Sequence, residues 1–175
     1  DLDAEERLAG LESLKLETCC RLPTDFSNIV LDRFRVEMFD SRPVLRLMGG
    51  AYQYVIDLLA GEYLASFDEA ETQRSAAIAA KEFGLSGQPR LLGVIEQDQW
   101  TVYPAYHSHR PLYHFAMNDS AGTKFYVSST TGEVVQMTTS RARFWNWMGA
   151  VVHWLYPTML RQHTGAWLQT VIWLT

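Results

Sequence analysis

Apolar and polar residues alternate in two stretches of the chain, and this alternation predicts β-strands. Successive side chains of a strand point to opposite faces of a sheet, so a period of two buries one face and leaves the other in water. Turn-forming pairs such as Asp40-Ser41, Asn118-Asp119 and Thr131-Gly132 separate the runs and favour antiparallel connections. The predicted strands cover residues 34–39, 43–48 and 52–57 in the first stretch, and residues 89–96, 99–103, 110–117, 123–128 and 133–137 in the second.

Between the two stretches the spacing of apolar residues changes to that of a helix. Ser66 and Glu69 have the spacing of a capping box, and an alanine-rich stripe that ends with Phe83 follows at helical intervals. Gly84 is placed to end this helix, because glycine readily adopts the left-handed conformation found after a last helical turn. The sequence therefore predicts one helix between the two groups of strands.

The two stretches are also similar to each other, which indicates an internal repeat. Residues 42–47 and residues 110–115 both begin with Arg-Pro and continue as strands. Gly61-Glu62 follows the first Arg-Pro by 19 residues, and Gly132-Glu133 follows the second by 22 residues. A weaker helical pattern that opens at Pro23 stands before the first copy. Each half is therefore predicted to be a helix followed by antiparallel strands.

The composition of the chain changes after Arg143. The 32 residues from Phe144 to Thr175 contain one charged side chain, Arg161, and five of the six tryptophans. Tryptophan rings collect at the headgroup level of a bilayer, where one edge of the ring is wet and the other is apolar. The predicted membrane-interface residues are Arg141, Arg143, Trp145, Trp147, Trp154, Arg161, Trp167 and Trp173.

This segment predicts an amphipathic helix at the membrane surface and then the start of a membrane-spanning helix. Pro157 permits a break between the two helices, and the second begins near Gly165. A span needs ~20 apolar residues, so residues 166–175 supply roughly half of one. The remaining transmembrane helices are expected beyond this segment. A buried core helix and a hydrophobic dimer surface are the alternatives.

Charge and cysteine content narrow the classes of partner. The net charge is −5 and the isoelectric point is about 5.5, so the chain lacks the basic excess that a nucleic-acid surface needs. Nucleic acid is therefore not an expected partner. The two cysteines, Cys19 and Cys20, are adjacent, a spacing at which a disulfide rarely forms because the intervening peptide strains the ring.

Two segments carry a family resemblance. The helix that opens at Ser66 and the strands that end in Tyr-Val-Ser-Ser-Thr-Thr-Gly-Glu-Val-Val, residues 126–135, resemble the PepSY domain from Ser66 to Gln136. Residues 141–147 and 153–155 are similar to the PepSY-associated transmembrane family. In that family the domain lies outside the bacterial cytoplasmic membrane, between helices of the same chain. The resemblance therefore implies a periplasmic or otherwise extracytoplasmic position.

The pattern and the resemblance together predict an α+β fold with two PepSY-like units of helix plus antiparallel sheet. The N-terminal half is expected over residues 1–64 and the second unit over residues 65–140. Residues 141–175 are expected to form the amphipathic helix that leads into the membrane.

Three neighbouring residues are the candidate ligand contacts. His107 and His109 have a spacing that would place both on one face of a strand, and Arg110 follows them. No set of four ligands for a closed metal site can be assembled here, so no metal is predicted. The sequence indicates neither a Ser-His-acid order nor a Cys-His arrangement, so no catalytic residue is predicted either. His153 is the candidate haem ligand, because some members of the resembling family are ferric-siderophore reductases whose intramembrane histidines hold haem.

The expected function is binding or regulation, without chemistry or a cofactor in this domain. PepSY units occur in the propeptides of thermolysin-type metallopeptidases, which implies a peptide or protein partner beside the lipid bilayer. An alternative is the outer domain of a haem-bearing transmembrane ferric-siderophore reductase in iron uptake. A scaffold that orders a membrane complex is a third reading. The reductase requires inward-facing histidines in further helices, whereas peptide binding requires an exposed edge strand or groove.

Overall fold

The computed structural model describes residues 13–15, 17, 19–25, 31–49, 52–151 and 158–174. Their architecture is α+β with two four-stranded antiparallel sheets, each with its strands in chain order, which confirms the predicted class. The first sheet contains β1 (Arg33–Phe39), β2 (Arg42–Gly49), β3 (Tyr52–Asp57) and β4 (Glu62–Tyr63). The second contains β5 (Arg90–Ile95), β6 (Leu112–Ala116), β7 (Lys124–Ser128) and β8 (Val134–Thr138).

Helical segments lie between and after the sheets. Helix α1 (Glu69–Glu82) precedes β5, and a 3-10 helix (Pro104–His109) lies between β5 and β6. After β8 come α2 (Ser140–Asn146), a π-helical turn (Trp147–Val151), α3 (Thr158–Arg161) and α4 (Thr164–Leu174). The sheets fall on either side of the boundary predicted after residue 64, while the division into domains stays a prediction.

The internal repeat extends to individual hydrogen bonds. At the end of β3, Asp57 Oδ1 accepts from the backbone N–H groups two and three residues later, at 2.8 and 3.1 Å. At the end of β7, Ser128 Oγ accepts from the equivalent N–H groups at 3.2 and 3.1 Å. Gly61 and Gly132 then take φ angles of 76° and 71° in the two turns. Two different side chains therefore build the same turn in the two halves.

Helix α1 begins with the capping box of a different pair from the one predicted. Asp68 is the N-cap, and its side chain accepts from the N–H of Glu71 at 2.8 Å, while the Glu71 side chain accepts from the N–H of Asp68 at 3.1 Å. The predicted box at Ser66 is therefore wrong by two residues, although the helix itself is confirmed. A carboxylate at the N-cap satisfies the first amides and complements the helix dipole.

The helix ends where the sequence predicts. Gly84, with φ of 67°, donates to the carbonyl of Lys81, and Leu85 donates back to the carbonyl of Ala80 at 2.8 Å. This pair of bonds is a Schellman motif, which needs a left-handed residue after the last turn.

Alternation along β6 and β7 builds a core on each face of the second sheet. Phe115, Phe125 and Val127 pack against Ala76 and Ala80 of α1. On the opposite face, the buried side chains are covered by the segment between β5 and β6, in a cluster of Leu112, Tyr126, Val135, Tyr106, Ile95 and Trp100. The first sheet is likewise buried on both faces, since Val44 and Val55 pack with Phe67, whereas Leu45, Leu47 and Ile56 pack on the other side.

The strand predicted over residues 99–103 is wrong, because this segment forms a loop held by Asp98. Asp98 Oδ1 accepts from the N–H groups of Trp100 and Thr101, at 2.9 and 3.1 Å, and from Thr101 Oγ1 at 2.9 Å. A short acidic side chain that binds the backbone just after itself competes with strand formation.

Two expectations concern the N-terminal residues. The helical pattern that opens at Pro23 falls mostly outside the described residues, with Thr24 and Asp25 in a turn. The expectation for the cysteines is wrong, because Cys19 and Cys20 are joined by a disulfide.

Candidate functional site

The three predicted ligand residues do not converge on one point. His107 is exposed on the 3-10 helix, whereas His109 turns towards the first sheet, where its Nε2 lies 3.3 Å from Gln53 Nε2. Arg110 donates to the carbonyl of Thr101 at 2.9 Å. The predicted shared face is wrong because residues two apart on a 3-10 helix, with three residues per turn, point in different directions.

His109 lies instead at a junction between the two halves of the chain. Gln53 of β3 also donates to Ser108 Oγ at 3.2 Å, so the 3-10 helix contacts the first sheet through two neighbouring residues. From the second half, Ser128 Oγ donates to the carbonyl of His109 at 3.1 Å and Thr130 Oγ1 donates to the carbonyl of Ser108 at 2.9 Å. The 3-10 helix is therefore hydrogen-bonded both to β3 of the first sheet and to the end of β7 and the turn after it.

A cluster of four charged side chains lies at the same junction, and we call it the junction cluster: Arg35, Glu37, Arg46 and Glu133. Arg35 Nε lies 2.7 Å from Glu37 Oε2, and Arg46 Nη1 lies 3.7 Å from Glu133 Oε2. Arg46 also pairs with Glu37, and Arg35 with Glu133. Two cations and two anions from both halves therefore neutralise each other.

Arg46 is the most buried member of the junction cluster. Its side chain is 4% exposed, and beyond its two carboxylate partners it donates to the carbonyl of Thr131 in the second half. Its guanidinium also lies 5.5 Å from the ring centre of Phe39. A buried cation is tolerated only when its donors are satisfied in this way.

The local field keeps Glu133 ionised. Burial raises the pKa of Glu133, but the charges of Arg46 and Arg35 outweigh burial, so the pKa lies below its usual value. His109 contributes to the same lowering, which is its electrostatic connection to the junction cluster. Glu133 of the second half is therefore ionised and pairs with two arginines of the first sheet.

Sequence reasoning missed the junction cluster, although a signal for it exists. Arg46 interrupts a run of apolar residues from Pro43 to Met48 in β2, and a charged residue inside a buried strand needs a partner. Arg35 and Glu37 are two residues apart on one strand, which places opposite charges on one face. Their partner Glu133 lies 98 residues after Arg35, beyond the reach of any local pattern.

A second polar group lies on the face of the second sheet that points away from α1. Tyr126 donates from its hydroxyl to Asp98 Oδ2 at 2.7 Å, and burial raises its pKa, as does Asp98. His114 stacks on Tyr126 with ring centres 4.5 Å apart and 11° between the planes. Burial lowers the pKa of His114, Lys124 lowers it further, and Asp98 offsets part of the shift. His114 is therefore neutral near pH 7.

Among the predicted membrane-interface tryptophans of the described residues, three are largely exposed and one is half-buried. Trp145 of α2 and Trp147 of the turn after it are 63% and 53% exposed, Trp173 of α4 is 87% exposed, and Trp167 of α4 is half-buried. Phe144, the residue before Trp145, is 57% exposed. Arg141 is exposed as well.

Two other arginines of this set have partners within the chain. Arg143 donates to Thr138 Oγ1 and to the carbonyl of Gly122, both at 2.8 Å, which fastens α2 to the second sheet. Arg161 lies 4.5 Å from the ring centre of Trp167.

Two of the predicted residues cannot be placed. Trp154 and the haem-ligand candidate His153 lie outside the described residues. Within residues 158–174 and the other described ranges, no helix has the length and apolar character needed to cross a bilayer. In the same part of the chain, no three His, Cys, Asp or Glu side chains are grouped to hold a metal ion.

Comparisons with known proteins do not extend this picture. Neither the family models, nor the curated proteins, nor the solved structures contain a match to the chain. The PepSY resemblance therefore stays a prediction that rests on the residues quoted for it.

Proposed function

We propose that this chain is a PepSY-type binding or regulatory domain of an integral membrane protein, without catalysis of its own. It lies on the extracytoplasmic side of the bacterial cytoplasmic membrane, and the aromatic segment after β8 contacts the bilayer. The observation that carries the proposal is the exposure of Phe144, Trp145 and Trp147 directly beside the second sheet.

Several exposed tryptophans in one segment favour contact with a partly apolar environment, such as the interface of a membrane. Burial of one large apolar side chain is worth ~1.5–3 kcal/mol, and the indole N–H retains a polar partner at the headgroup level. Because Arg143 ties α2 to Thr138 and Gly122, the aromatic surface is attached directly to the folded domain. Membrane contact through this surface would therefore position the sheets as well.

The polar groups of the described residues support binding over catalysis. The four charges of the junction cluster are paired with one another, and Asp98 holds its own loop and Tyr126. The two sheets therefore support a recognition scaffold.

The ferric-siderophore reductase stays a prediction. It depends on His153, which lies outside the described residues, and on further helices. An absorption spectrum of the natural full-length protein before and after dithionite tests it, since a Soret band lost on His153→Ala would favour haem.

Membrane contact is tested by flotation of the chain with vesicles of phosphatidylcholine and phosphatidylglycerol. The double variant Trp145→Ser/Trp147→Ser should lower the partition coefficient by about tenfold or more, because two rings leave the interface. The matched control is Phe34→Ser/Tyr52→Ser, which removes two rings that are 67% and 69% exposed on the first sheet. Equal partitioning of both double variants and the unchanged chain would contradict the proposal.

A further inference from the structure

Strand β5 leaves one edge of the second sheet open. It pairs with β6 alone, and within the described ranges its residues make no backbone hydrogen bond outside that ladder. Leu92 and Val94 are 40% and 51% exposed on the same strand. Unpaired amides and carbonyls beside apolar side chains form a template for another strand.

The residues of this edge are arranged symmetrically about Gly93, with two apolar residues on each side and opposite charges at the two ends. Arg90 is followed by two leucines, Gly93 stands in the centre, and Val94 and Ile95 lead to Glu96. An antiparallel partner with this same sequence would bring its acidic end to the basic end of the first strand. The edge is therefore complementary to itself in both charge and apolar character.

The sequence places a two-fold axis of such a pairing at Gly93. An antiparallel register centred there sets Leu92 opposite Val94, Leu91 opposite Ile95 and Arg90 opposite Glu96. The irregularity of the β5–β6 ladder between Leu91 and Gly93 lies at the same point. A Cβ added at Gly93 would have no atom within 4 Å, so no described part of the chain covers the face of the sheet at this point. Gly93 has a φ of 153°, which favours glycine at this point.

We propose that β5 of one copy pairs antiparallel with β5 of a second copy, joining the two β5–β8 sheets into one of eight strands. This names the partner of the binding role proposed above and rests on that role. A shared membrane raises the effective concentration of the second copy. Because the interface is only about six residues long on each side, the dimer is reversible and depends on concentration.

The test is sedimentation velocity of the full chain in a density-matched detergent, over a range of protein-to-detergent ratios. The unchanged chain should pass from monomer to dimer as this ratio rises. Arg90→Glu and Glu96→Arg should each weaken association by about tenfold or more, since each places like charges together. The double variant Arg90→Glu/Glu96→Arg should restore it, as should a mixture of the two single variants.

Control variants separate this interface from general effects of charge and folding. Arg33→Glu changes an exposed arginine on the edge strand of the first sheet and should leave the dimer unchanged. Val94 is 51% exposed, so Val94→Arg should leave the core undisturbed. It should abolish the dimer because it places a charge among the apolar side chains of the interface. A chain that stays monomeric, or a dimer that is unaffected by Val94→Arg, would overturn the proposal.

Flotation of the same variants keeps the two proposals apart. The proposed membrane contact does not require the dimer, so the monomeric variants should still float with the vesicles. If the unchanged chain dimerises yet does not float, the membrane proposal fails while the β5 interface stands. If the chain stays monomeric and an unrelated extended peptide binds the β5 edge, the partner named here is wrong.

Discussion

At the scale of single residues, the junction cluster joins the two halves through charges that are mostly removed from water. Glu37 and Arg46 are 6% and 4% exposed, and each has two ionic partners. Such a pair is not a reliable source of stability, because desolvation of both ions offsets their attraction. Loss of one partner is nevertheless costly, since the remaining charge stays buried.

Arg46→Met should lower the free energy of unfolding by about 3–5 kcal/mol, because the carboxylates Glu37 and Glu133 are then left to share a single cation, Arg35. Chemical denaturation at pH 7 measures the change. Arg33→Met is the matched control on β1, where the arginine is exposed, and should change stability by about 0.5 kcal/mol or less. Similar losses in both variants would show that the junction cluster is not stabilised by Arg46.

His114 should make stability depend on pH between neutral and mildly acidic conditions. Its pKa is lowered in the folded chain, so the unfolded chain binds more protons as the pH falls below about 6.5. The free energy of unfolding should therefore decrease from pH 7 to pH 5. His114→Phe keeps a ring on Tyr126 and should flatten this slope, whereas His107→Gln, at an exposed position, should not.

At the scale of elements, helix α1 and its end at Gly84 were predicted correctly, whereas its N-cap is Asp68 and not Ser66. Asp68→Ala should cost about 1 kcal/mol, because the N–H of Glu71 loses its acceptor at the start of α1. Asp68→Asn keeps a side-chain oxygen at the N-cap and should cost less. Thermal unfolding followed by circular dichroism measures both, and equal losses would exclude the cap as the cause.

The wrong strand at residues 99–103 has a local cause that was visible in the sequence. Asp98 precedes Thr101, and a short carboxylate can bind the backbone two and three residues later. The strand was predicted from the alternation of apolar residues alone, and the competing turn at Asp98 was not considered. Its tertiary contact with Tyr126, 28 residues away, was not visible.

At the scale of the whole molecule, Gly132 shows how closely the two halves meet. A Cβ at Gly132 would lie 2.8 Å from Phe39 Cζ and 2.8 Å from Phe67 Cδ1. These two rings contact each other edge to face, with centres 5.0 Å apart. The turn of the second half therefore packs against aromatic side chains that precede it by more than 60 residues.

Gly132→Ala should lower the free energy of unfolding by about 2–4 kcal/mol, because conformational strain is added to overpacking. Gly84→Ala is the matched control, since its φ of 67° is similar but its Cβ would meet no atom within 4 Å. It should cost about 1 kcal/mol from strain alone. Chemical denaturation of the two variants measures both losses, and their difference gives the contribution of overpacking. Equal losses would mean that Phe39 and Phe67 move aside without a cost in stability.

The sequence alone determined features that depend on neighbours along the chain: seven of the eight strands of the described residues, helix α1 and the turn at Gly132. Local spacing decides which face of a strand is apolar and which residue can take a left-handed turn. Only the tertiary structure decided that His109 meets Gln53, that Arg46 meets Glu133, and that Arg143 fastens α2 to the segment before β7. These relations join residues far apart in sequence, and they form when folding removes the side chains from water and requires each buried charge to find a partner.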